Sequence, residues 1–217
     1  MEYEIFVGYA SEDDDKARYI HDCLARIVEF IPYKAERYPI IGEDFKQRLQ
    51  WHLQKSFAMI VLLTENGKNS QWVNQEIGYA YALKTRPQRQ YVNLPHIIPL
   101  SHKQVELKGF ITKDTIDILF LDNYPSFKEI VTDIIAQIRW RIPKGLKEST
   151  LHHRATCSYC LDEKGFPYEW VEKLPAQEDV MKAIQSDKCW LNYTCPKCKK
   201  VNFVDIRTFL SHKAAEG

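Results

Sequence analysis

Short apolar blocks alternate with longer polar-and-apolar stretches along the first part of the chain, and the spacing within each block predicts its element. Glu4 to Ala10, EIFVGYA, predicts a first strand, and Ser11 with the acids of SEDDDKA predicts the capped start of a helix from about Asp14 to Val28. In that helix Ala17, Ile20, Leu24 and Ile27 face inward, with Cys23 buried as a small hydrophobe. The following IPYKAERYPIIGEDFKQRLQWHLQKS suits a short second strand, a loop at Tyr38 to Gly42, and an amphipathic helix from Asp44 to Ser56 with Phe45, Leu49 and Leu53 on one side. Phe57 to Thr64, FAMIVLLT, is a continuous apolar run of strand length. A polar loop, ENGKNS, leads from it into a helix over Asn69 to Lys84, capped by Asn69 or Ser70.

KTRPQRQYVNLP reads as a proline-broken polar linker before a fourth strand, HIIPL. A loop through Gly109 and Phe110 precedes a fifth strand, Ile116 to Leu121, and a fourth helix belongs in this interval, with the least regular pattern of the set. Pro125 opens a last helix, Ser126 to about Arg141, with Ile130, Ile134, Ile135 and Ile138 at helical spacing. Strands alternating with helices in this way predict an α/β fold, a five-stranded parallel sheet with helices on both faces.

Composition limits what such a chain can do. Its 217 residues are enough for a medium domain and a small one, and 45% hydrophobic content supports a real core. Lys and Arg number 30 against 29 Asp and Glu, and from Lys144 onward the count is 12 basic to 10 acidic, so there is no polybasic field and nucleic acid is not the expected main partner. No apolar run approaches membrane-spanning length, and MEYEIFVGYA lacks the pattern of a signal peptide, so the expectation is a soluble, cytoplasmic protein with no membrane partner.

The six cysteines add a second feature. Cys157-Ser-Tyr-Cys160 and Cys195-Pro-Lys-Cys198 are two C-x-x-C knuckles, a pattern that in a reducing compartment favours a metal over disulfides. Four thiolates at tetrahedral reach meet the needs of a closed structural zinc site. The competing readings are surface thiols or a redox pair. Between the knuckles the sequence suits a strand near Tyr168 to Val171 and a helix within Gln177 to Gln185. Cys189 is expected to pack beside Trp190 rather than bind metal, and His152, His153 and His212 are reserve ligands. The expected organisation is a first domain over 1–142, a linker over 143–150 (in IPKGLKEST), and a zinc-ribbon-like module over 151–217 whose fold depends on the metal.

Glu76 is the candidate for chemistry. Trp72, Glu76, Tyr79, Ala80 and Leu83 recur at three- and four-residue intervals, which places an acid among apolar and aromatic neighbours on one helix face. Most helix glutamates are solvated, and that is the plain alternative. The strand and loop just upstream argue for more, because ligands of open parallel sheets bind outside the carboxyl ends of the strands, near the second turn of the following helix.

These stretches, EIFVGYASEDDDKA, PIIGEDF before a helix, and FAMIVLLTENGKNSQWVNQEIGYAYAL, resemble a TIR domain of the microbial sort over about Glu2 to Ile142. The most specific part is S-x-W-V-x-x-E-I after the strand and loop. The resemblance implies a flavodoxin-like five-stranded parallel sheet and, as in many members, cleavage of NAD between nicotinamide and ribose. By the same resemblance Glu76 is the catalytic carboxylate and Trp72 stacks at the nicotinamide end. Tyr9, Ala10 and Ser11 of the first loop, and the loop around Gly42, would line the rest of the substrate site; Phe45 reads first as helix core and is included as a further substrate-site residue. Ala10 stands where some relatives carry a polar residue. Self-association through TIR domains is also implied.

One carboxylate suffices for this reaction. Nicotinamide in NAD is already cationic and leaves as a neutral molecule without an acid, unlike the leaving oxygen in ordinary glycoside hydrolysis. The remaining demand is to stabilise an oxocarbenium-like ribose, which an ionised glutamate can meet. Capture by water gives ADP-ribose, and capture by the substrate's own adenosine half gives a cyclic isomer. The other functions compatible with the sequence are a TIR adaptor that signals by assembly, a nucleoside N-glycosidase of the deoxyribosyltransferase kind, and a nucleic-acid role for the cysteine module.

Overall fold

Every residue of β3 (Ala58–Leu63) is buried, as a strand covered on both faces must be. In the computed structural model, which describes residues 2–34, 44–85, 95–107, 111, 117–142 and 151–212, β3 lies at the centre of a five-stranded sheet in the order β2-β1-β3-β4-β5. The other strands are β1 (Tyr3–Gly8), β2 (Phe30–Lys34), β4 (His96–Ser101) and β5 (Leu119–Phe120), and every pairing is parallel. This is the five-stranded parallel α/β sheet expected from the alternation of elements, with the flavodoxin-like order that the resemblance implies.

The register sets Phe6 beside Met59 and Gly8 beside Val61. With the two-residue period of a strand, Phe6, Met59, Val61 and Leu63 share one face. There they join a core with Leu49 and Leu53 of α2 (Phe45–Lys55) and Val73, Ile77 and Ala80 of α4 (Gln71–Thr85). Ile5, Val7, Ile60 and Leu62 bury the opposite face, and α1 (Asp14–Ala25) carries the inward Ala17 and Ile20, both fully buried. From β1 the chain runs out to β2 on one side and returns to β3 on the other. The strand order therefore reverses between β1 and β3, which opens a crevice at their carboxyl ends.

Several boundaries differ from expectation for local reasons. The ENGKNS segment is not a plain loop: Thr64 accepts from the Gly67 amide at 3.1 Å and caps a one-turn helix, α3 (Glu65–Asn69). A five-residue helix is too short to leave a periodic signature. The fifth strand is reduced to Leu119–Phe120, with a 3-10 turn beginning at Leu121; Ile116 lies outside the described residues. The described residues between β4 and β5 contain no helix. Gly42, Gly109, Phe110 and residues 143–150 also fall outside the described residues. The last helix is α5 (Phe127–Arg141), with Ile130, Ile134, Ile135 and Ile138 all buried.

Contacts divide the chain into two compact units, Met1–Asp22 with Phe30–Ile130, and Cys23–Glu29 with Val131–Gly217. The second contains an antiparallel hairpin of β6 (His152–Leu161) and β7 (Pro167–Lys173), then α6 (Gln177–Gln185), then a three-stranded antiparallel sheet of β8 (Trp190–Thr194), β9 (Val201–Asp205) and β10 (Ser211–His212). Arg26–Val28 runs antiparallel to β6, with a bridge between Ile27 and His153 and hydrogen bonds from the Val28 amide to His152 and from the Arg154 amide to Arg26. One apolar cluster of this unit is small: Val180, Cys189 and Ile206, flanked by Ala183, Ile184 and Leu191.

Candidate active site and metal centre

Glu76 sits in the second turn of α4 and is only 8% exposed, between the fully buried Val73 and the buried Ile77 and Ala80. Ser70 starts this helix by accepting from the Val73 amide at 3.4 Å, in the capping role expected of Asn69 or Ser70. The carboxylate lies over the carboxyl end of β1. A Cβ built on Gly8 would stand 2.7 Å from Glu76 Oε2 and 3.2 Å from Met59 Cε. The helix face differs from the expected stripe. Val73 and Ile77 hold its centre, Tyr79 is half-buried, and Trp72 is 44% exposed at its edge.

Trp72 does not stand alone. Phe45, the first residue of α2, meets it edge to face with ring centroids 5.3 Å apart and planes at 87°. Asp44 fixes the start of α2 by accepting from the Lys46 and Gln47 amides at 2.9 and 3.4 Å, and the Arg48 guanidinium lies 5.6 Å from the Phe45 ring. One aromatic wall is thus built from two helices, one turn of α4 ahead of the glutamate.

The first loop is closed more tightly than its sequence indicates. Tyr9 and Ala10 are buried, while Ser11 is exposed and donates to Glu12 at 3.1 Å. Lys34 Nζ lies 5.4 Å from the Tyr9 ring and donates to Asp14 at 2.6 Å. Hydrogen bonds from Lys34 and then Arg18 hold the Asp14 carboxyl at about 2, below the usual carboxylate range. Asp13, 1% exposed, accepts from Thr64 Oγ1 and from Lys16 Nζ. Thr64 therefore both caps α3 and ties the end of β3 to the loop after β1. Gly8, Met59, Asp13 and Thr64 were not singled out by the sequence. Three adjacent aspartates looked like a helix N-terminus, and nothing local distinguishes the one that turns inward.

Residues 5–131, more than half of the 217-residue chain, match the family of the TIR domain. The chain belongs to the TIR domain family. In this TIR domain the sheet crevice, the buried glutamate and the aromatic wall all fall within the matched residues. No curated protein matches the chain.

Outside the matched segment, the four expected cysteines come together. Their Sγ atoms all lie within 4.8 Å of one another, with Cys157 to Cys198 at 3.6 Å and Cys160 to Cys195 at 3.7 Å. A tetrahedral ion with sulfur ligands at about 2.3 Å requires sulfur–sulfur edges of about 3.8 Å, so this donor set fits and could hold a metal such as zinc. The two knuckles come from an irregularity in β6 and from the turn between β8 and β9, where Lys199 adopts φ 64° and donates from its amide to the Cys195 carbonyl at 2.9 Å. Burial opposes the Cys157 thiolate, yet the Tyr159 amide and the neighbouring thiols bring the Cys157 pKa down to about 7.

Two of the reserve histidines are engaged elsewhere. His152 pairs with Glu29 at 2.8 Å, and His153 Nε2 hydrogen bonds the Tyr193 hydroxyl at 2.9 Å. The side chain of His212 lies outside the described residues. Cys189 is outside the cluster as expected, but it packs with Val180 and Ile206 while Trp190 is 47% exposed.

Proposed function

We propose that this TIR domain cleaves NAD at the bond between nicotinamide and ribose, with Glu76 as the catalytic carboxylate. The observation that carries this reading is a carboxylate buried at the carboxyl edge of a parallel sheet, one helical turn from a half-exposed tryptophan braced by Phe45. An acid removed from water beside an apolar wall is poorly explained as a solvated surface group.

The glycosidic bond from C1′ of the ribose to the pyridinium nitrogen breaks, and its electron pair goes to that nitrogen, so nicotinamide leaves neutral. Glu76 hydrogen bonds the ribose hydroxyls and opposes the positive charge that develops at C1′. Trp72 and Phe45 supply the flat surface against the nicotinamide end, and Tyr9, Ala10 and Ser11 border the remainder. A lone pair from water then closes on C1′ with loss of a proton to solvent, giving ADP-ribose. A nucleophile of the adenosine half gives a cyclic isomer instead, and by analogy with microbial relatives cyclisation is the favoured branch.

The four cysteines hold zinc in a structural role in this reading, since a four-sulfur site has no open position for substrate. TIR units pair with one another to complete the active form in the cytoplasm.

NAD consumption by purified protein at high concentration, compared between wild type and Glu76→Ala with the products resolved by chromatography, tests the assignment. Release of nicotinamide by wild type with a loss of about 10²–10³-fold or more in the variant is the expected result. Turnover of deoxynucleosides instead of NAD would move the protein to the N-glycosidases. A folded, assembled wild type that consumes neither would leave an adaptor.

A further inference from the structure

Glycine is used at Gly8 for a reason other than backbone freedom. Gly8 is the last residue of β1, paired with Val61, and among the described glycines only Gly165 has a positive φ. Any residue could adopt the backbone of Gly8. What only glycine provides there is an absent Cβ on the face that β1 turns toward α4.

Two crowded glycines among the described residues show what that absence serves. At Gly67 an added Cβ would stand 2.0 Å from the Leu62 carbonyl oxygen, a clash with backbone that only a shift of the chain could relieve. At Gly8 it would stand 2.7 Å from Glu76 Oε2 and 3.2 Å from Met59 Cε, both ends of flexible side chains. The first glycine is needed for packing. The second leaves room for one movable carboxylate, which would yield before the sheet did.

Resting on the reading of Glu76 as catalytic, we infer that Gly8 is a positioning residue: its bare Cα, with the Met59 methyl, forms the seat on which the Glu76 carboxylate rests over the end of β1. A methyl group at position 8 pushes the carboxylate off this seat and away from its working place. The sheet survives, because alanine suits extended backbone and reduces the freedom of the unfolded chain.

The test combines kinetics with a stability cycle. Gly8→Ala is expected to lower kcat for NAD about 10–100-fold with KM changed less than threefold, since substrate contacts away from the ribose are intact. In melting experiments Gly8→Ala is expected to lower Tm by about 2–4 °C in the wild-type background. In a Glu76→Ala background the same change should leave Tm unchanged or raised, because the nearer atom it collides with is gone and the flexible Met59 end can give way. Glu76→Asp, whose carboxylate stops one methylene short of the seat, should likewise remove the stability penalty.

Equal Tm changes in all three backgrounds would overturn the inference, as would wild-type kcat in Gly8→Ala. If wild type consumes no NAD, the proposed function fails by that result alone. The cycle still reads whether Gly8 seats Glu76, so the two failures are told apart.

Discussion

The ring of Phe45 stands at 87° to that of Trp72, with centroids 5.3 Å apart, and so joins the first residue of α2 to the first turn of α4. Such an edge-to-face pair contributes about 0.5–1.5 kcal/mol beyond its buried area. Trp72 is 44% exposed, and Phe45 packs against it and restrains its orientation. Phe45→Ala should raise KM for NAD by up to about tenfold with a smaller change in kcat, measured by steady-state kinetics. An unchanged KM would remove Phe45 from the substrate wall.

Thr64 serves two groups at once, donating to the buried Asp13 and accepting from the Gly67 amide. Thr64→Val keeps the shape and removes both interactions, leaving a buried carboxylate without that donor. Urea unfolding should show a loss of about 1–3 kcal/mol. Thr64→Ser, which retains the hydroxyl, should lose less than half of that. Equal losses in the two variants would show that the methyl group and not the hydrogen bonds matters at this position.

The cysteine cluster predicts one tightly bound metal ion per chain. Elemental analysis should find one zinc in wild type, none in Cys157→Ser/Cys195→Ser, and one in Cys189→Ser, whose thiol belongs to the Val180 and Ile206 core. Chelation should loosen the cysteine module, read by loss of amide-exchange protection in β6, β8 and β9, because the four thiolates bring β6 and the β8–β9 turn together and their metal would be the tie between them.

Acid should weaken the same unit through His153. Its ring is fully buried between Tyr193 and Phe209, and desolvation, reinforced by Arg26 and by His152, lowers its pKa from 6.5 to about 4. The Tyr193 hydroxyl that faces it is pushed up to about 12 by burial and by Glu172, so it stays protonated. The folded pKa of a base is depressed here, so between 6.5 and about 4 the unfolded chain binds the extra proton and stability rises with pH. The contribution is complete above pH 6.5 and is lost as pH falls toward about 4, at most roughly 3 kcal/mol. His153→Gln should flatten the pH dependence of the unfolding midpoint across this window, and an unaltered slope would assign it to other groups.

Much of this architecture was legible before the structure because it rests on local periodicity. The unbroken apolar run at Phe57 to Leu63 has the length and flanks of a strand covered on both sides, and Ile130, Ile134, Ile135 and Ile138 have one helical face to offer; both are buried as expected. Glu76 could be singled out for the same reason, as an acid on an apolar stripe. Of the expected stripe Glu76, Ala80 and Leu83 are buried, while Trp72 and Tyr79 lie toward its edge: Trp72 and Val73 are both apolar, and periodicity cannot rank them. The sheet decides, burying Val73 and leaving Trp72 at the edge.

The spacing of the two C-x-x-C pairs determined the candidate metal set, and the order of strands and helices determined a parallel α/β sheet, since both follow from covalent neighbours and short-range geometry. Tertiary structure alone decided that Gly8 lies beneath Glu76, that Asp13 turns inward to Thr64, that Phe45 braces Trp72, and that Arg26–Val28 pairs with β6. Each of these joins residues distant in the chain. Such contacts depend on which strands become neighbours and in what register, and no local pattern of residues carries that information.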